Sequence, residues 1–132
     1  MSLLLIMAAA GATFIAGTHT NLSAEEARDL GIELLARNFE YELMDEPSPL
    51  FFRLDLSSFD VCKIRDVGID VQDSSGTNIF GTTISRFNGP IYTFRLDRRY
   101  LNSTDMAIAC DDGPDVLDRV YLFKLWDLLQ EP

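Results

Sequence analysis

At 132 residues, 47% apolar and 24% charged, the chain has the length and composition of one ordinary globular domain, which excludes wholesale disorder and a second independent core. Its net charge of -10, from 21 acidic against 11 basic residues, repels phosphate backbones and argues against nucleic-acid binding. The same charge suits a basic protein partner, divalent cations or simple solubility.

Residues 3 to 17, LLLIMAAAGATFIAG, form an almost unbroken apolar run. A membrane span needs about 20 apolar residues, so no stable span is expected here. Two readings fit the run. It is a signal-like leader, with Ala10 and Ala12 or Ala16 and Gly17 as cleavage positions, or it is the first buried element of the fold. No Lys or Arg precedes it, which weakens the leader reading. The chain thus divides into an apolar leader, 1–17, and a single globular domain, 18–132. His19, the one histidine, follows the run as a loop or pre-cap residue.

Residues 22–37 carry the clearest helix signature. Ser23 and Glu26 make an S-x-x-E capping box, Ala27, Leu30, Ile32 and Leu34 supply an apolar stripe, and Gly31 weakens it. From Phe39 the period changes to alternation. FEYEL (39–43) and FFRLDL (51–56), the latter with Phe52, Leu54 and Leu56 on one face, read as an antiparallel pair across a proline-bearing loop. Further strand-like runs follow at 61–71, 78–84, 91–96 and 105–110, each bounded by turn residues. The tail, 115–129, is long enough for a helix opened by Pro114, yet RVYLFKLW (119–126) also reads as a closing strand. The expected fold is α+β and mainly antiparallel: a sandwich or curved sheet of about six or seven short strands, an N-terminal helix and either a helix or a strand at the end.

Chemistry is sparsely marked. One histidine, no G-x-S-x-G elbow, no phosphate loop and no CxxC leave no catalytic or cofactor-binding residue to name. Carboxylate pairs are too numerous for spacing to single one out. Two acidic loops are candidates for calcium: Asp70, Asp73 and Ser74 in the first, and Asp111, Asp112 and Asp115, with Asp118 beyond, in the second. The second is preferred, against a plain solvated turn. Arg95, Arg98 and Arg99, beside Asp97, read as solvated strand-end charges. Phe80, Phe87, Tyr92, Phe94, Tyr100 and Trp126 could line a groove, although core packing is the commoner fate of such residues.

Cys62 and Cys110 are a disulfide candidate that would close a loop of about 48 residues; the alternative is a pair of buried thiols. A bridge would place the protein in an oxidising compartment, periplasmic or secreted, whereas free thiols would fit the cytoplasm. By elimination, the expected function is a small non-enzymatic binding domain, of exported type, with an inhibitor, immunity or accessory role toward a protein partner. A small carboxylate-dependent hydrolase or carbohydrate binder is the first alternative, and a cytosolic regulatory domain the second. Nothing in the sequence sets an oligomeric state.

Overall fold

A computed structural model describes residues 17–36, 49–85 and 87–130. In chain order the elements are β1 (Thr18–Asn21), α1 (Ala24–Asp29), β2 (Glu33–Ala36), β3 (Pro49–Asp55), β4 (Ile64–Gln72), β5 (Asn78–Ser85), β6 (Ile91–Asp97), a 3-10 helix (Arg98–Ser103), β7 (Thr104–Cys110), β8 (Arg119–Lys124) and α2 (Leu125–Leu129). The strands form a five-stranded sheet, β1-β8-β7-β4-β5, and a three-stranded sheet, β2-β3-β6. Among the described residues, only β1 and β8 pair in parallel. The mainly antiparallel α+β fold expected from the alternating pattern is the fold that forms. The apolar run 3–16 and the segment FEYEL (39–43) lie outside the described residues.

The main core lies between the sheets. Alternation along β3 turns Phe52 and Leu54 inward, and β6 does the same with Tyr92, Phe94 and Leu96; they meet Val67, Ile69 and Val71 of β4 and Met106 and Ile108 of β7. Phe52 stacks on Phe94 with ring centroids 5.1 Å apart, and Tyr92 lies 5.3 Å from Phe94. Helices α1 and α2 close one end of this core with Ala27, Leu125, Leu128 and Leu129. Arg28 of α1 donates to the carbonyls of Leu128 (2.9 Å) and Gln130 (2.6 Å), satisfying acceptors that the end of α2 leaves open.

Burial pushes the Tyr92 phenol up to about 12. Its hydroxyl is buried and has no hydrogen-bond partner among the described residues. Replacing Tyr92 with Phe removes that unsatisfied group, so urea unfolding of the variant should show a gain of about 1 kcal/mol. The pH dependence has a definite sign. The folded phenol holds its proton above the ordinary value of 10.0, so wild-type stability should decline as pH rises from 10 towards 12, and the Tyr92→Phe variant should decline less over the same window.

The helix expected over 22–37 is shorter. Its start is as the sequence indicates, with both halves of the capping box present: Glu26 N–H donates to Ser23 Oγ at 3.1 Å, and Ser23 N–H to Glu26 Oε1 at 2.9 Å. That bond from the Ser23 backbone holds the Glu26 carboxyl below its usual range. The helix ends at Asp29 because Gly31 adopts φ +97° and reverses the chain. Ile32 N–H bonds to the Ala27 carbonyl at 3.0 Å and Gly31 N–H to the Arg28 carbonyl at 2.9 Å, the paired bonds of a Schellman motif. Ala27 and Ile32, the apolar couple of that motif, are both fully buried. Leu34 and its neighbours therefore serve β2 instead of a fourth helical turn.

A Cβ added at Gly31 would fall 2.5 Å from the carbonyl atoms of Ser58. Gly31→Ala meets both a left-handed backbone and a backbone clash, and should destabilise by more than about 2 kcal/mol in chemical denaturation.

The tail resolves into both expected elements in succession. Residues 119–124, with Val120 and Phe123 buried on opposite faces, make β8, whereas Leu125, Leu128 and Leu129, at helical spacing, make α2. Pro114 lies in the preceding turn and opens no helix. Cys62 and Cys110 are joined in a disulfide, with Cα atoms 5.7 Å apart, tying the approach to β4 to the end of β7. Among the described residues no helix is long and apolar enough to cross a membrane.

Candidate functional site

Where β8 runs into α2, the parallel pairing with β1 leaves a cavity of about 350 Å³. Its charged groups are Asp105 of β7, Lys124 at the end of β8 and Asp127 in the first turn of α2; Asn21 adds a neutral amide, and Leu22, Leu122 and Phe123 give an apolar wall. Register brings these residues together. Asp105 stands opposite Lys124 on β8 and opposite Asp70 on β4, so one face carries an Asp-Asp-Lys row across three strands.

Asp105 is held from two sides. Its Oδ2 accepts from Gln72 Nε2 at 3.0 Å and its Oδ1 from Lys124 Nζ at 3.3 Å. The lysine side chain is 61% exposed, so this ion pair is solvent-screened and easily exchanged for another cation. Asp70, behind Asp105, is buried. The cavity thus presents two carboxylates, from Asp105 and Asp127, against a single exposed ammonium. An arrangement of this kind favours a cationic group that can reach both acids and lay its aliphatic part along Leu122 and Phe123.

The cavity opens beside β1, whose four residues are all exposed. Its inner edge is occupied, with Thr18 N–H bonded to the Asp118 carbonyl (2.8 Å) and Leu22 N–H to that of Leu122 (2.7 Å). Its outer edge faces no other strand among the described residues. His19, expected in a loop before the helix, is a residue of this strand, in register with Val120.

The acidic loop 111–118 is organised by arginines. Asp112 accepts from Arg119 through Nε, Nη2 and the backbone N–H at 3.0 to 3.1 Å, and the guanidinium bond holds its carboxyl below the usual range. Asp118 pairs with Arg65. Asp111 and Asp115 are exposed, and Asp111 makes one long contact, 3.4 Å, with Gly113 N–H. The oxygens of Asp112 that a cation would use are therefore already taken. Asp73 closes the β4–β5 turn by accepting from Ser75 and Thr77, and bonds from Ser75 and Thr77 lower its carboxyl as well. Among the described residues, no group of three or more His, Cys, Asp or Glu is placed to hold a metal ion.

The basic stretch after β6 is dispersed. Arg99 pairs with Asp97 at 3.1 Å and lies over the Tyr100 ring, 5.1 Å from its centroid. Arg95 instead points outward from β6, opposite the exposed Phe51 of β3. The aromatic residues follow the core reading for Tyr92 and Phe94, whereas Phe80 and Trp126 are exposed at separate places. Apart from Asn21, which begins an N-x-S triplet, none of the residues lining the cavity is marked by a sequence motif. Asn21 and Lys124 are about a hundred positions apart, and only the parallel β1–β8 pairing joins them.

Comparison of the chain with protein-family models, with curated proteins and with solved structures finds no match in any of the three.

Proposed function

We propose that this protein is a small, exported, non-enzymatic binding domain with an inhibitor, immunity or accessory role toward a basic protein, and that its cavity receives a lysine or arginine side chain of that partner. The observation that carries this reading is the cavity's charge: Asp105 and Asp127 face one loosely held ammonium, Lys124, above an apolar wall. An incoming guanidinium displaces Lys124 from Asp105 and bridges to Asp127. The net charge of -10 adds long-range attraction for a basic partner, which speeds encounter more than it deepens affinity. Export is supported by the Cys62–Cys110 bridge, since such bonds persist in oxidising compartments.

The test is a titration of the isotope-labelled protein with arginine ethyl ester, followed by amide resonances. Saturable shifts are expected at Asn21, Leu122, Lys124 and Asp127, with none in the Asp73 turn. Each of Asp105→Asn and Asp127→Asn should weaken binding about fivefold, and added salt should weaken it further. Shifts that are scattered over the acidic surface, or that survive both substitutions unchanged, would overturn the proposal.

A further inference from the structure

The loop 111–118, between β7 and β8, is tied at both ends and bare at its tip. Leu117 is 74% exposed and Val116 60%, the two most exposed large apolar side chains among the described residues. An exposed leucine alone is common on protein surfaces. Here the loop that displays it is held in one shape. Cys110, just before the loop, is bridged to Cys62. Asp112 accepts from Arg119 through Nε, Nη2 and the backbone N–H at 3.0 to 3.1 Å. Asp118 pairs with Arg65, and its carbonyl accepts from Thr18 N–H at 2.8 Å.

These links have a particular relation to the tip. The Asp112–Arg119 and Arg65–Asp118 pairs each join a residue before the 117–118 peptide bond to one after it. Hydrolysis of that bond adds one water and makes a Leu117 carboxylate and an Asp118 amine. Both new ends would stay tethered, because β8 remains paired to β7 and β1 and the two ion pairs bridge the cut. Ends held in this way are placed to rejoin, so a peptidase that seats the loop releases product slowly. A loop fixed beforehand in its bound shape also loses little entropy on docking, which favours tight binding.

We propose that 111–118 is an inhibitory loop that seats Leu117 in the apolar primary pocket of a basic endopeptidase, with Val116 packed beside it. The charges set the rim of that pocket: Asp111 and Asp115 are exposed next to the apolar tip and match a cationic surface. The loop and the cavity lie at opposite ends of β8, one at Arg119 and the other at Lys124, so they are separate surfaces. The proposal rests on the reading of the protein as an inhibitor of a basic partner, and it names that partner's class and the surface that stops it.

The test is inhibition of chymotrypsin, whose primary pocket is an apolar slot, by the full chain. Inhibition is expected, with cleavage at 117–118 far slower than in a free peptide of residues 112–121. Leu117→Asp should weaken inhibition about a hundredfold, and Leu117→Lys should transfer it to trypsin, whose pocket carries an aspartate. Because Leu117 is exposed, neither substitution should move the urea midpoint. Rapid cleavage at 117–118 without inhibition, or no effect on chymotrypsin at all, would overturn the proposal. Inhibition that survives Leu117→Asp but is lost with Asp105→Asn and Asp127→Asn would overturn it too, and would leave the cavity reading standing. Inhibition that depends on Leu117, in a protein whose amides do not respond to arginine ethyl ester, would support the loop and overturn the cavity reading alone.

Discussion

Removing the Cys62–Cys110 bridge is expected to destabilise the fold by about 4 kcal/mol, the chain-entropy value for a loop of 48 residues. That is a large part of the roughly 5–15 kcal/mol by which domains of this size are stable. The reason lies in what the loop contains. Between the two cysteines run β4, β5, β6 and β7, strands of both sheets, so the bridge confines unfolded chain that must otherwise find two separate sheet registers. The pairing of Ile64 with Cys110 in the β4–β7 ladder already brings the two thiols together in the native state, so closure needs little further ordering there. Urea unfolding of the Cys62→Ala, Cys110→Ala double variant should show the loss in full. Wild type unfolded in a phosphine reductant should show the same midpoint, and the double variant should not respond to the reductant. A double variant with the wild-type midpoint would mean that the bridge contributes nothing.

What the sequence makes legible here is local. The strands from Pro49 to Cys110 are written as alternation bounded by turn residues, and they form where the alternation places them. The capping box fixes the start of α1 correctly. The helix end was harder to read, because Leu30 and Leu34 keep helical spacing across a glycine, and only the φ of +97° at Gly31 converts the second half into β2. A glycine in a helical pattern is compatible with either a weak interior or a stop. The tail posed the same difficulty, since strand and helix there share one apolar run and divide at Leu125. The cavity was not legible at all. Its carboxylates are two among many, and a parallel pairing between residues 18–21 and 119–122 leaves no short-range trace. The disulfide stands between: with two cysteines in the chain one pair is possible, but the neighbouring β4 and β7 bring the two Cα atoms to 5.7 Å.

The adjacent phenylalanines of β3 should respond very unequally to truncation, and this tests the register on which both sheets depend. Phe52 is 0% exposed, stacked on Phe94 and surrounded by the inter-sheet core, so Phe52→Ala leaves a cavity and should destabilise by about 4 kcal/mol. Phe51, one residue earlier, is 44% exposed on the outer face opposite Arg95, and Phe51→Ala should change stability by less than about 1 kcal/mol. The contrast follows from the two-residue period of a strand: a slip of one position exchanges every inward and outward side chain. Such a slip would bring Phe51, Arg53 and Asp55 into contact with Val67 and Ile69, and burying Arg53 without a partner would be far more costly than exposing Phe52. The seven-residue ladder between β3 and β6 holds the register that avoids this, with Phe52 opposite Phe94 and Leu54 opposite Tyr92. Equal losses for the two alanine variants in the same urea experiment would show that β3 does not present its faces in this way, and the packing of the three-stranded sheet on β4 and β7 would have to be reassigned.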